Sequence, residues 1–393
     1  MRYAPVTDRL AGLGAEKWHV HFRAREKALR GDDVLFLSIG EPEREAPAAI
    51  VEEAVRQLRA GRTRYSNGRG EPAVIAAICS HYSRRSGRDI LPEQVIFTSG
   101  TQNALCAAML TLASLDDEVI VPEPYYVTYD GVIAATGAAL VPVRLTPETG
   151  FHLSAADLER AITPQSRVLL LNSPSNPTGA VLSRDEILAI GEVCRQSDLW
   201  IVSDEVYAAL VFGNRRFASP FDEPHLAERT VVVSSLSKSH AMTGYRAGWA
   251  VGPAEFSARM QAISEVMLFG TQPFIQDAAA FALRGEFPEV EAMRRAYESR
   301  ARLIVSMLEN RKGIRARMPE GGMFVFADIR PTGLSGEAFA LGLLEEADVA
   351  VMPGEVFGPS GAGHIRLGLT VAEDTLVEAL RRTVDFAERH SRN

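Results

Sequence analysis

One lysine stands apart in this chain. Only four of its 42 basic residues are lysines, at Lys17, Lys27, Lys238 and Lys312. Lys17, Lys27 and Lys312 lie in charged, helix-like or turn-like text and read as surface. Lys238 lies instead in SSLSKSH (234–240), directly after the apolar run VVV at 231–233. An amine held there among hydroxyls can attack a carbonyl carbon and form an imine. Four other apolar runs also end on reactive text. VIF (95–97) leads into TSGTQNAL, VIV (119–121) into PEPYYVTY, VLLL (168–171) into NSPSNPTG and WIV (200–202) into SDEVY. In open α/β sheets, ligands bind beyond the carboxyl ends of the strands. These strand ends therefore bring hydroxyls, tyrosines, an asparagine, an acid pair and a lysine to one rim.

Each piece has an ordinary structural role when taken alone. Ser-Gly-Thr caps helices, Asn-Pro-Thr-Gly makes turns, Asp204-Glu205 can open a helix, and tyrosines fill cores. Together they meet the needs of one cofactor, pyridoxal 5'-phosphate, with its aldehyde, phosphate and basic ring nitrogen. Lys238 supplies an amine for the aldehyde. Residues 100–102, Ser235, Ser237 and Arg246 can hold the phosphate through helix-terminal N–H groups, hydroxyls and a guanidinium. Asp204 can keep the ring nitrogen protonated, so that the ring accepts electrons from a carbanion. Tyr125 or Tyr126 can stack on the ring, and Asn176 and Tyr207 can meet its phenolic oxygen. Once free, the Lys238 amine can act as the base that removes a proton from the substrate α-carbon.

Such a rim needs a scaffold. Short apolar runs separated by helical text predict a mostly parallel central sheet sandwiched by helices. Residues 14–31 read as a helix ending at Gly31, and 46–61 as an amphipathic helix closed by Gly61. From about residue 285 the pattern changes to a long helix (290–310), GGMFVFADI, a further helix, VAVMPGEVF and HIRLGL. That predicts an α/β fold with a large domain, 41–285, and a smaller α+β domain built from 1–40 and 286–393. At roughly 100–200 residues per domain, 393 residues suffice for both.

Composition narrows the field. A chain that is 46% apolar and 23% charged fits a globular enzyme and excludes a disordered or fibrous protein. No apolar run approaches the roughly 18 residues that cross a bilayer, and the N-terminus carries no signal-peptide pattern. The net charge of −8 speaks against a nucleic-acid partner. Cys79, Cys106 and Cys194 are scattered, which offers neither a disulfide framework nor a CxxC metal site. No metal is expected, and the expected compartment is the cytosol.

The segments SDEVY (203–207), NSPSNPTG (172–179) and SLSKSHAMTGYRAGW (235–249) resemble the class I and II aminotransferases of pyridoxal phosphate fold type I. The likeness extends from SIGEPEREAP (38–47) to HIRLGLT (364–370). The resemblance implies that Lys238 links to the cofactor and Asp204 pairs with its ring nitrogen. Asn176 and Tyr207 contact the phenolic oxygen, and Tyr126 stacks on the ring. Gly100, Thr101, Gln102, Ser235, Ser237 and Arg246 surround the phosphate. It also implies that Arg366 grips the substrate α-carboxylate, with Gly40 and Asn176 beside it. Tyr65 would reach the phosphate held by a partner, so a homodimer with shared active sites is implied. Cis prolines near Pro124 and Pro177 complete the expectation.

Within that family, GAEKWHVHFRARE (14–26), DIRPTGLS (328–335) and GHIRLGL are similar to members that transfer the amino group of arginine to pyruvate. Some aspartate-handling members carry a lysine where this chain has Gln102, which argues mildly against an acidic donor. Glu16, Glu43 and Asp8 lie in segments able to meet a guanidinium, although each is equally a cap or surface acid. The alternatives are an aspartate or aromatic aminotransferase, or a β-lyase on the same cofactor. A regulator of this fold would need an N-terminal DNA-binding domain, for which the text before residue 38 leaves no room. A nicotinamide-dependent dehydrogenase would need G-x-G-x-x-G after an early strand, and that run does not occur.

Overall fold

The computed structural model describes residues 1–391. Its centre is a seven-stranded sheet built from β1 (Val95–Ser99), β2 (Glu118–Glu123), β3 (Ala139–Arg144), β4 (Ser166–Asn172), β5 (Trp200–Asp204), β6 (Thr230–Ser235) and β7 (Ala247–Val251). The order across the sheet is β1-β7-β6-β5-β4-β2-β3. All neighbours run parallel except β7, which is antiparallel to both β1 and β6. Five of these strands are the five apolar runs. β3 and β7 were not read from the sequence.

The runs are continuous because both faces are covered. Strand side chains alternate between faces. Val168 and Leu170 join Val119, Val121 and Val202 under the helices Thr101–Leu112 and Ala254–Met267. Leu169 and Leu171 join Ile120 and Ile201 under the helices Ala155–Ala161 and Arg184–Gln196. Nearer β1, that second face is covered by the helices Pro72–Ser86 and Pro273–Arg284. Each such Val, Leu or Ile contributes about 1.5–3 kcal/mol by leaving water.

A second body of structure follows residue 287. An antiparallel sheet runs Met352–Pro353, His364–Gly368, Phe324–Asp328, Arg315–Ala316. Leu35–Phe36 pairs in parallel with Val349–Ala350. The helices Pro288–Leu308, Gly336–Ala347 and Glu373–His390 pack into one core with Val20, Ala24 and Leu37 from the N-terminal text. Tyr207, Leu210 and Phe212, which follow β5, enter the same core. The helix read at 46–61 forms at Ala48–Arg59, and Gly61 beyond it has φ +79°.

Two readings are corrected. The helix read at 14–31 is a tight 3₁₀ turn, Ala15–Trp18, followed by an α-helix, His19–Leu29. Lys17 and Lys27 are not free surface lysines, since only 15% of each side chain is exposed. Lys17 pairs with Asp130 and donates to the Val127 carbonyl at 3.2 Å, and Lys27 pairs with Asp348 at 3.0 Å. Local charge patterns cannot reveal partners more than 100 residues away. The peptides Glu123-Pro124 and Asn176-Pro177 are cis as expected, and Ser173-Pro174 is cis as well.

Candidate active site

Asp204 closes β5 and is buried. Its Oδ2 accepts from the Tyr129 hydroxyl at 2.7 Å, and its Oδ1 accepts from the Val206 N–H at 3.2 Å. The Asn172 side-chain amide donates to the Asp204 carbonyl at 3.1 Å, while the Asn172 side-chain oxygen accepts from the Asn176 N–H at 2.7 Å. Two strand ends are thereby tied together behind the carboxylate. Among the described residues, no cation lies within ion-pair distance of it. Burial pushes Asp204 up to about 6, against the pull of the Tyr129 and Val206 hydrogen bonds. Such a carboxylate suits a buried positive charge brought by a ligand.

Lys238 follows β6 and reaches the carbonyl of Gly40 at 2.6 Å. Burial pushes its amine down to about 8. Glu41 and Asp204 oppose that shift, and Arg366 and Arg246 reinforce it. An amine poised this near neutrality can exchange protons.

The phosphate-like seat is shaped by close backbone approach. Gly100 (φ +83°) precedes the helix Thr101–Leu112, whose first N–H groups have no intrahelical partner. A Cβ at Gly100 would lie 2.2 Å from Arg246 Nη2, and one at Gly248 would lie 2.5 Å from the Gly100 carbonyl carbon. Arg246 itself sits at φ +55° and donates through Nη1 to the Thr243 carbonyl at 2.8 Å. The Thr101 hydroxyl is buried without a partner. An orphan hydroxyl, open helix N–H groups and a guanidinium that has no carboxylate partner among the described residues fit a phosphate.

Arg366, on the strand His364–Gly368, is 1% exposed. Its Nη1 donates to Asn176 Oδ1 at 3.0 Å, its Nη2 donates to the Ser38 carbonyl at 2.8 Å, and its Nε is buried without a partner. Its guanidinium carbon lies 3.9 Å from the centre of the Phe324 ring. Burial pushes it down to about 10. Among the described residues it has no carboxylate partner, so a ligand carboxylate can supply one. Gly40 serves this packing directly, because a Cβ there would meet the Phe324 ring at 2.3 Å.

The structure brings nearly all the sequence-read residues into one cavity of about 290 Å³. Gly40, Thr101, Gln102, Tyr126, Asn176, Asp204, Tyr207, Ser235, Ser237, Lys238, Arg246 and Arg366 all line it. Gly100 stands just behind Arg246. Of the two tyrosines, Tyr126 lines this cavity, and Tyr125 lines a separate small one. Tyr65 is not brought in. It is 87% exposed and meets the Phe269 ring edge-on at 5.7 Å. Glu43 is withdrawn as a guanidinium partner for a ligand, since it bonds Arg300 at 2.6 Å and Tyr297 at 3.1 Å. Glu16 and Asp8 are exposed and outside the lining. Sequence reading missed Trp18, Glu41, Tyr129, Asn172 and Phe324. Tyr129 had a signal, since it stands three residues after Tyr126 at helical spacing, and Glu41 simply follows Gly40.

Comparison with known proteins adds independent findings. The sequence profile described as "Aminotransferase class I and II" matches residues 32–382. The chain is similar to the arginine–pyruvate transaminase AruH of Pseudomonas aeruginosa, at 48% identity over 97% of each chain. It is also similar to an aspartate/prephenate aminotransferase of Cereibacter sphaeroides, at 39% identity over 93% of this chain and 94% of that one. Among solved structures, the aspartate aminotransferase of Rhizobium meliloti aligns over 100% of both chains, with a TM-score of 0.93 and 31% identity. The Thermus thermophilus aspartate aminotransferase with maleate aligns over 98% of this chain and 100% of that one, with a TM-score of 0.92 and 32% identity.

Proposed function

This chain belongs to the class I and II aminotransferases and works with pyridoxal 5'-phosphate, and from that premise we propose that its amino donor is arginine and its acceptor pyruvate. The observation that carries the donor is the 48% identity, over 97% of both chains, to an arginine–pyruvate transaminase. The cavity supports it by elimination. Its cations are Lys238, Arg246 and Arg366. One serves the amine exchange, one the phosphate and one the α-carboxylate, so among the described residues of this chain none is left for an acidic side chain.

We assign the roles as follows. Lys238 would hold the cofactor through its aldehyde, and its amine, brought near neutrality by burial, would take a proton from the substrate α-carbon and return it. When bound, the cofactor supplies an aldehyde that exchanges amines and a ring that accepts the electron pair freed at that carbon. Asp204 holds a proton at the ring nitrogen, and Tyr129 and the Val206 N–H hold Asp204 in place. Tyr126 covers the ring face, and Asn176 and Tyr207 donate to its phenolic oxygen. Thr101, Gln102, Ser235, Ser237 and Arg246 bind the phosphate over Gly100. Arg366, kept rigid by Asn176 and Ser38 on the Phe324 ring, orients the α-carboxylate.

The division into 41–285 and 1–40 with 286–393 belongs to this reading, as does cytosolic placement. So does a homodimer. Tyr65, Val266 and Phe269 are 87%, 89% and 68% exposed, a group of large apolar side chains suited to a second copy. In such a dimer Tyr65 would extend toward the partner's phosphate seat. The test is a half-reaction screen, in which the yellow holoenzyme is mixed with single amino acids and the cofactor absorbance is followed. Arginine should bleach it fastest. The similarity to aspartate/prephenate aminotransferase favours a second reading, and fast bleaching by aspartate with none by arginine would select it.

A further inference from the structure

Among the lining groups with no part in the roles assigned above, two stand out, one aromatic and one charged. Trp18 ends the turn Ala15–Trp18 and packs beside Val127, Phe326 and Phe357. It stands there because its neighbour Lys17 is fastened to Asp130 and to the Val127 carbonyl. Glu41 is the second. One of its oxygens accepts from the Thr243 hydroxyl at 2.6 Å. Among the described residues it has no cation within ion-pair distance. It lines the same cavity as Lys238, whose amine its charge pulls upward.

The charges of the cavity divide cleanly. Asp204 is the buried anion of its floor, and Glu41 is the exposed one. With Arg366 fixing the α-carboxylate and Lys238 the α-carbon, the substrate side chain is left the remaining wall, whose aromatic and charged groups without another role are one indole and one carboxylate. We propose that Trp18 and Glu41 form the side-chain subsite, and that it selects a long cationic side chain. The methylene stem lies on the indole, a guanidinium is attracted by the ring face, and the unpaired carboxylate takes its charge. A carboxylate side chain would meet repulsion at the same place. This rests on the reading of arginine as donor and names the residues that would enforce it.

The test compares arginine with citrulline, its neutral isostere, on the purified holoenzyme. The wild type should prefer arginine in kcat/KM. Glu41→Gln should reduce the arginine-to-citrulline ratio about tenfold, and Trp18→Leu several-fold, while Trp18→Phe keeps most of the ratio because it keeps a ring face. Raising the salt should lower the ratio in the wild type and much less in Glu41→Gln. Loss of both activities in step, with the ratio unchanged in Glu41→Gln and in whichever Trp18 variants fold, overturns the subsite and leaves arginine as donor. A wild type that does not use arginine overturns the donor itself.

Discussion

Asp204 and Glu205 are consecutive buried carboxylates, and they end in opposite circumstances. Glu205 is answered at once. Arg85 donates to it at 2.7 Å and to Asp222 at 3.0 Å, and the Ser219 hydroxyl donates to its other oxygen. The Arg85 guanidinium also lies 4.6 Å from the Tyr82 ring centre and 5.4 Å from that of Phe217. Asp204 receives only a phenol and a backbone N–H. Across the cavity, Arg366 is likewise buried without an acid. In one cluster two acids share a cation supplied by the chain itself, and the other is completed by what binds. The lesson is that burial alone does not separate structural from working charges. The presence or absence of an internal counter-charge does.

Each side of that contrast can be broken. Lys238→Ala should cause the largest loss, roughly 10²–10⁴-fold or more in turnover, with no cofactor trapped on the chain by borohydride. Asp204→Asn should retain the cofactor and lower kcat by about tenfold for each pKa unit of ring-nitrogen support removed. The same substitution should stabilise the cofactor-free protein. Burial lifts the Asp204 carboxyl from its ordinary 3.8 to about 6 in the folded chain, so its burial costs nothing below 3.8, costs more as pH rises from there, and levels off above about 6. The gain in Tm should therefore be present at neutral pH and vanish near pH 4; a loss of Tm at neutral pH would contradict the account. Arg85→Met should act in reverse, costing about 3–5 kcal/mol in denaturant unfolding, because two acids lose their cation, with kcat of the folded enzyme little changed. Tyr129→Phe should have the smallest effect, about 1–2 kcal/mol at Asp204, read as a several-fold fall in kcat and weaker cofactor retention on dialysis. An unchanged dialysis rate together with unchanged kcat would remove Tyr129 from the support of Asp204.

The same contrast explains what the sequence made legible. Lys238, Asp204 and Asn176 were readable because each follows a buried apolar run, and parallel strands deliver their ends to one rim. Strands β3 and β7 were not. ALVPVR carries Pro142 and lies at a half-exposed edge, so it lacks a continuous apolar run. AGWAV is poor in β-branched residues because Gly248 must press against the Gly100 backbone. Trp18 and Glu41 come from segments more than 180 residues before Lys238 in the chain. Both reach the cavity through the packing of the N-terminal text on distant elements; for Trp18 no local pattern encodes this, and for Glu41 the cue is its place beside Gly40. Tyr65 was read from a likeness alone, and a single chain leaves it facing solvent.

The seam where Gly100 and Gly248 touch backbone to backbone has a practical bearing on engineering. It joins an edge strand to its neighbour at the very point where the phosphate seat is formed. Random mutagenesis should therefore find these two positions nearly closed to substitution. Clones altered there should also yield colourless but folded protein more often than aggregates, since spreading the seam relaxes one rim of the sheet and leaves its apolar layers intact.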